Sequence, residues 1–279
     1  MTLLVCLITA GVSFLAFQRP AIRDRLLFRP ESILAQKEWY RLFSCALIHA
    51  NWSHLAFNLL ALFSFGIAIE TVWGAPTFLG IYGASILGGS LLSLFLHRHH
   101  DYAALGASGG VCGVMFASIF LVPGTSVSLM FLPIGIPGPI FAIAYLVGTF
   151  WALRQGVGNI GHDAHFGGAI VGLVLAALIA PENCRMSPVL FTASFVFAVF
   201  CLFVLARDPL GITGKTFSFG KSEYRSNIRY QHYDQARARR QAQAEVDRLL
   251  DKVAAQGLHS LTPRERATLD DFSARSRRG

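Results

Sequence analysis

Leu105-Gly106-Ala107-Ser108-Gly109-Gly110-Val111-Cys112-Gly113 sets one hydroxyl among four glycines, at the head of an apolar run that continues to Val122. A small hydroxyl residue in an apolar helix is commonly a packing device, and a G-x-S-G string is short enough to recur by chance. Read alone, the stretch marks a close helix contact. Read with its company it marks a site. His54 with Asn58, and His165, stand in two other apolar segments, and polar or ionisable side chains inside membrane segments are costly enough to imply function by default.

Glycine spacing ties two of these segments together. Gly109 and Gly113 follow the serine four apart, and Gly168 and Gly172 follow His165 four apart. Small residues at that spacing let helices in lipid approach closely. The pattern predicts that the segments opening at Ser108 and at Ala164 pack together and hold Ser108 and His165 at one depth.

Outward from there, the chain reads as an all-α, polytopic membrane helix bundle. Its 279 residues are 53% hydrophobic and 14% charged, with a mean hydropathy of +0.50. A soluble domain carries about a quarter charged residues. Apolar runs near the ~20 residues needed to cross a bilayer predict helices over 3–17, 53–69, 77–96, 108–122, 140–153, 164–180 and 189–206. Glu70 closes the second, ahead of a Gly74-Ala75-Pro76 turn, and the proline- and glycine-rich 123–139 reads as a loop. The alternating pattern of an outer-membrane barrel is absent.

Between the first two helices a long loop, residues 18–40, mixes Arg19, Arg23, Arg25, Arg29 and Lys37 with Ile22, Leu26, Leu27, Phe28, Trp39 and Tyr40. Flanked by membrane helices, this reads as a segment lying in the lipid headgroups, not as a nucleic-acid surface. The opening run lacks the basic region and cleavage site of a secretory signal and is read as a mature helix. Five scattered cysteines without a C-x-x-C pair read as buried apolar residues. The run His97-Arg98-His99-His100-Asp101 lacks the spaced partners of a metal site, and no H-E-x-x-H string occurs. Neither metal nor cofactor is expected.

From Arg207 onward the composition changes. The last 73 residues hold 15 of the 24 Lys+Arg and 9 of the 16 Asp+Glu, so they read as a soluble, basic tail. Val246, Leu249, Leu250 and Val253 recur at helical spacing, and Gly257 is placed to stop that helix. Thr262-Pro263-Arg264-Glu265 reads as a capping box with proline at its first helical position, and Leu269 and Phe272 would pack back. A two-helix module over 234–279 follows, with 215–234 as a linker.

The candidate chemistry is a dyad. His54 and Asn58 share one helical face. They are either mutually satisfied polar groups or donors aimed, with the Ser108 N–H, at an oxyanion. His165 is the candidate base for the Ser108 proton. No carboxylate lies within the apolar spans, and Asp163 is too close to His165 in sequence to serve readily as a third member.

In this ordered set the chain resembles the rhomboid intramembrane serine proteases. The resemblance rests on Trp39-Tyr40-Arg41, His49, His54-x-x-x-Asn58, Glu70, Gly106-x-Ser108-Gly109 and Ala164-His165-x-x-Gly168-x-x-x-Gly172. It implies a six-helix core over 1–180 with an extra transmembrane helix within 181–208 and a soluble tail over 209–279. It further implies cleavage of transmembrane segments of other membrane proteins through an acyl-enzyme, with Ser108 as nucleophile and His165 as base. His54 and Asn58 would stabilise the oxyanion, while Arg41, His49, Glu70, Gly106, Gly109, Gly113, Gly168 and Gly172 would be structural. The expected partners are transmembrane substrates and membrane lipid, and the expected place is the bacterial inner (plasma) membrane.

Two features depart from the family pattern. Tyr40 separates Trp39 from Arg41, and Cys112 stands one turn after the serine, where an aromatic commonly stacks on the histidine. Charge and resemblance also imply opposite orientations. With the first helix starting inside, the basic loops and tail fall outside, against the positive-inside rule; the family orientation is adopted for the core. Two other classes compete: a non-catalytic relative that escorts membrane helices, and a transporter. The first typically lacks the serine or histidine, both present here; the second calls for inverted repeats of broken helices, which the chain lacks.

Overall fold

Helices that are apolar all round satisfy their own backbone and bury side chains against one another or against lipid, and most of this chain consists of them. The computed structural model describes residues 1–99, 102–129, 132–155, 161–207 and 245–262, with 265, 266, 268, 269 and 272 beyond. The chain divides into two compact units, Met1–Ser222 and Glu223–Gly279.

In the first unit the elements run α1 (Thr2–Gln18), α2 (Pro20–Leu26), α3 (Pro30–Ala35), α4 (Arg41–Ser44), a 3₁₀ turn (Cys45–Leu47), α5 (Trp52–His97) and α6 (Ser108–Leu121). After strands β1 (Ser126–Leu129) and β2 (Leu132–Pro137) come α7 (Gly138–Gln155), α8 (His162–Ile179), α9 (Pro181–Arg185) and α10 (Pro188–Arg207). Helices α5 and α8 are long and apolar enough to cross a membrane, and apolar stretches of 10–17 residues run through α1, α6, α7 and α10.

Helix α6 is the centre. Every residue from Gly109 to Leu121 is buried, with Phe116, Val114, Ala117 and Leu121 fully so. The second arm of α5 and α8 pack on it, contributing Phe78, Ile81, Phe166 and Leu173 to one continuous apolar core. Its 14 residues rise only about 21 Å at 1.5 Å each.

The observed elements depart from the sequence expectation in four places. The turn at Gly74-Ala75-Pro76 is a break inside one continuous helical run: Gly74 alone is non-helical, at φ 82°, a value that glycine adopts without penalty. Segment 18–40 is not a loop but carries α2 and α3, each opened by a proline at its first helical position, where the missing N–H is not needed. Stretch 123–139 is not all loop either. Its strands pair antiparallel with Val127 opposite Ile136 and Ser126 opposite Pro137. Pro137 is tolerated because both strands of a two-stranded sheet are edges. Finally, α8 begins two residues early, so His162 and Asp163 lie in its first turn.

In the second unit, residues 245–256 are helical and bury Val246 and Leu249, whereas Leu250 is 52% exposed and faces away. Gly257 takes φ +80° beyond the helix end. The Thr262 N–H donates to Glu265 Oε2 at 2.8 Å, and the Glu265 N–H donates to Thr262 Oγ1 at 3.3 Å, the reciprocal pair of a capping box. Lys252 Nζ lies 2.9 Å from the same carboxylate; together with the Thr262 N–H it holds the Glu265 pKa down to about 2. The 215–234 stretch expected as a linker lies outside the described residues.

Candidate active site

The serine loop is built by excluding side chains. Gly106 sits at φ +125°, and a Cβ there would fall 2.7 Å from His54 Cε1. Only glycine answers both demands. The Gly106 N–H donates to Cys45 O at 2.9 Å, and the Ala107 N–H donates to His49 Nε2 at 3.3 Å. Accepting there, His49 carries its proton on Nδ1, 3.0 Å from Ser13 Oγ, and the Ser13 hydroxyl donates to Leu47 O at 2.9 Å. A chain of hydrogen bonds thus runs from α1 through a fully buried imidazole to the residue before Ser108. Ser108 itself is the first residue of α6, whose N-terminus has no side-chain cap, so the first N–H groups of that helix lack intrahelical partners.

Helix α8 meets α6 backbone to backbone. A Cβ on Gly168 would lie 1.9 Å from Gly109 O, one on Gly172 would lie 2.2 Å from Gly113 O, and one on Gly109 would lie 3.2 Å from Ala164 O. The second arm of α5 closes in the same way, with Gly89 against Ala164 O (2.7 Å) and Gly167 against the Gly89 Cα (2.9 Å). At the top of this seam, the residue after Ser108 touches the residue before His165.

His165 is buried, and its Nε2 has no hydrogen-bond partner. No hydrogen bond joins it to Ser108 among the described residues. Its Nδ1 lies 3.5 Å from the Tyr145 hydroxyl of α7, which lies 3.1 Å from Cys112 Sγ. The Tyr145 ring is held edge-on by Phe116, with centroids 6.1 Å apart. Tyr145 was not singled out from the sequence, although it is the one phenol in the apolar run 140–153. Ser13, likewise a lone serine in 3–17, was missed in the same way.

His54 and Asn58 open α5. Asn51 caps that helix, its Oδ1 accepting the His54 N–H at 2.8 Å. The Ala50 N–H donates to His54 Nδ1 at 3.4 Å, which leaves the ring proton on Nε2. Asn58 is buried, and its Nδ2 donates to His54 O at 2.8 Å. An amide nitrogen has two hydrogens, so one remains beyond this bond.

Asp163 is engaged by other partners. Its Oδ2 lies 3.4 Å from His97 Nε2 and its Oδ1 3.5 Å from the Tyr102 hydroxyl. The Tyr102 ring lies flat on His97 at 3.8 Å. This cluster fastens the end of α5 to the first turn of α8.

Arg41, only 2% exposed, donates Nε–H to Glu38 Oε2 at 2.6 Å and its NH1 to the carbonyls of Asp24 and Leu27 at 2.7 and 2.6 Å. It ties the end of α2 and the residues ahead of α4 to α4 through one guanidinium. The Glu70 carboxylate accepts the Thr2 N–H at 2.7 Å and pairs with the Met1 amino group, fixing the start of α1 against α5. Among the described residues no group of His, Cys, Asp and Glu is arranged to hold a metal.

Such a bundle, mostly helical and closed by glycine contacts beside a half-buried serine and a buried histidine, defines a class. The Rhomboid domain family matches residues 36–182, just over half of the chain. Over 151 residues the chain is 36% identical to the rhomboid protease GluP of Bacillus subtilis, covering 54% of this chain and 28% of that protein. It is 32% identical over 160 residues to the mitochondrial Rhomboid protein 1 of Saccharomyces cerevisiae, covering 53% and 45%. To the rhomboid protease AarA of Providencia stuartii it is 26% identical over 219 residues, covering 67% and 69%. The chain thus spans less than half the length of the first two. It belongs to the rhomboid family, an integral membrane family. Residues 231–275 match a separate family of unknown function, DUF6576.

Proposed function

We propose that this chain is an intramembrane serine endopeptidase that cleaves transmembrane segments of other membrane proteins. The observation that carries the reading is the seam of α6 and α8, where Gly109 touches Ala164 and the neighbouring His165 keeps a buried, unpartnered Nε2. In enzymes without substrate, catalytic hydrogen bonds are often long and tighten only on binding.

In the proposed cycle Ser108 Oγ attacks the scissile carbonyl carbon as its proton passes to His165 Nε2. The tetrahedral oxyanion is stabilised by the Ser108 N–H, the His54 Nε2–H and the second Asn58 amide hydrogen. Collapse breaks the C–N bond, and His165 returns the proton to the leaving amine. Water, deprotonated by the same nitrogen, then attacks the acyl-enzyme and regenerates Ser108. Helix α6 is about 9 Å shorter than a ~30 Å hydrocarbon core, which leaves room above Ser108 for water held by protein. A substrate helix must unwind to expose its carbonyl, so helix-breaking residues near the cut favour cleavage.

In this reading α1, the two arms of α5, α6, α7 and α8 are six membrane passes within residues 1–180, and α10, within 181–208, is a seventh. Residues 209–279 form a soluble tail, and the protein resides in the bacterial inner membrane with its site facing outward.

The test is labelling of the purified protein with a fluorophosphonate, with the adduct located by mass spectrometry, alongside cleavage of a co-expressed membrane substrate. Modification at Ser108, abolished in His165→Ala, is the expected result. Cleavage that persists undiminished in purified Ser108→Ala defeats the proposal.

A further inference from the structure

We infer that Tyr145 is a positioning residue that fixes the tautomer of His165, taking the place that a carboxylate occupies in a serine triad. The inference rests on the serine–histidine reading above and names what orients its base.

The geometry is a three-membered line across three helices. Cys112 of α6 lies one turn below Ser108, its Sγ is 3.1 Å from the Tyr145 hydroxyl of α7, and that hydroxyl is 3.5 Å from His165 Nδ1 of α8. The phenol ring is held by Phe116 and by Phe141, centroids 6.1 and 6.3 Å away, so the oxygen has little freedom to leave the line.

A phenol oxygen carries one hydrogen and accepts others; Thr149, one turn on in α7, donates to it, and along the line two polarities remain. In one, Tyr145 donates to Cys112 Sγ and accepts the His165 Nδ1–H, leaving Nε2 as a bare lone pair. In the other, Tyr145 donates to Nδ1, and the His165 proton sits on Nε2. The surroundings of Nε2 decide between them. It is buried and unpartnered, and an orphaned buried N–H is rarer in proteins than an under-used acceptor. The first polarity therefore prevails. Nε2 is then the acceptor that a Ser108 proton requires, and the imidazolium formed during attack keeps its Nδ1–H bonded to the phenol.

No carboxylate substitutes for Tyr145 in this line. Asp163, the nearest in sequence, is engaged by His97 and Tyr102. Cys112 has a definite part as the acceptor that turns the Tyr145 hydrogen away from Nδ1.

The experiment uses full-length protein in lipid bilayers with ¹⁵N-labelled histidine, the His165 signals assigned by their loss in His165→Ala. Solid-state NMR at neutral pH is expected to show the Nδ1–H tautomer, shifting toward Nε2–H in Tyr145→Phe. In the same variant, fluorophosphonate labelling of Ser108 and kcat should fall on the order of 10- to 100-fold, with KM unchanged. Cys112→Ala should reproduce the tautomer shift, and Cys112→Ser, which keeps an acceptor, should not. The cysteine pair also carries the test if Tyr145→Phe fails to fold. An Nε2–H tautomer in the unmodified protein, or a tautomer indifferent to both Tyr145→Phe and Cys112→Ala, overturns the inference. Absence of labelling at Ser108 in the unmodified protein instead overturns the protease reading, while the tautomer still judges the Tyr145 bond.

Discussion

The seam between α6 and α8 and the segment gathered around Arg41 solve one problem, fixing chain against chain, by opposite means. The seam does it by leaving atoms out: at four glycines a backbone carbonyl lies between 1.9 and 3.2 Å from where a Cβ would be. The α2–α4 segment does it by adding bonds, with one buried guanidinium serving two carbonyls and a carboxylate. Between helices in lipid the hydrophobic effect offers little, and close van der Waals packing carries association. In the connecting segment backbone groups are free of helix pairing and must be satisfied, so a multiple donor is the economical device. The two regions should therefore fail differently.

The largest effect is expected from filling the seam. In Gly168→Val the new Cβ falls 1.9 Å from Gly109 O, a backbone atom that cannot move aside without shifting a helix. Inserted core methylenes cost about 1–3 kcal/mol where side chains can adjust; here the neighbour is main chain, and the cost exceeds that range. Both thermal stability in detergent and fluorophosphonate labelling should collapse. A variant that folds and labels normally would show that the seam is looser than its geometry.

Next in size is Arg41→Ala. Losing a buried charge and its hydrogen bonds costs about 3 kcal/mol, read as a lower unfolding temperature. Arg41→Lys should recover only part, because a point charge cannot reproduce the guanidinium fork. The signature that separates this region from the seam is residual labelling: Arg41→Ala should keep Ser108 reactive at temperatures where it remains folded.

Ser13→Ala tests the hydrogen-bond relay that runs from α1 through His49 to the residue before Ser108. It removes two hydrogen bonds, the one to Leu47 O and the one from His49 Nδ1, at about 1 kcal/mol each. The measured unfolding temperature should fall by a few degrees, and kcat should fall more than KM changes, because the relay ends on the Ala107 N–H beside the nucleophile. Equal loss of stability with unchanged kcat would limit Ser13 to packing.

What was legible in the sequence follows this division. Apolar length and Gly-x-x-x-Gly spacing are local patterns, so the helix spans and the faces that meet could be read directly. The prolines of α2 and α3 are equally local signals, but in a stretch dense with arginine no helical period stands beside them. What could not be read were partnerships that only packing creates. Tyr145 and Cys112 lie 33 residues apart, and Ser13 and His49 lie 36 apart. His97 and Asp163 stood in plain view as a polar loop and a stray acid, but nothing in either stretch names the other. The hairpin at 126–137 was hidden by its prolines and glycines, which weaken strands except at edges.

The tail adds a third means of fixation, a half-buried ion pair, and it should respond to acid. Glu265 is held to about 2, against an ordinary 4.5, by Lys252 and the Thr262 N–H. A depressed carboxylate pKa contributes stability above the unfolded value and loses it as pH falls through the folded one. Amide exchange over 245–262, corrected for intrinsic rates, should therefore rise as pH drops from 4.5 toward 2, while the seam shows no matching change over that interval.

The smallest effect is the control that gives the first its meaning. Gly80 of α5 and Gly148 of α7 are also helical glycines, but a Cβ on either meets nothing within 4 Å. Gly80→Ala and Gly148→Ala should leave stability unchanged or raise it by up to about 1 kcal/mol, since alanine is the better helix former. Labelling at Ser108 should be unaltered. If these substitutions disrupted the protein as Gly168→Val does, the sensitivity would belong to glycine flexibility in general and not to the distance between two backbones. Neutrality here, with collapse at Gly168, assigns the effect to excluded volume where one backbone lies against another.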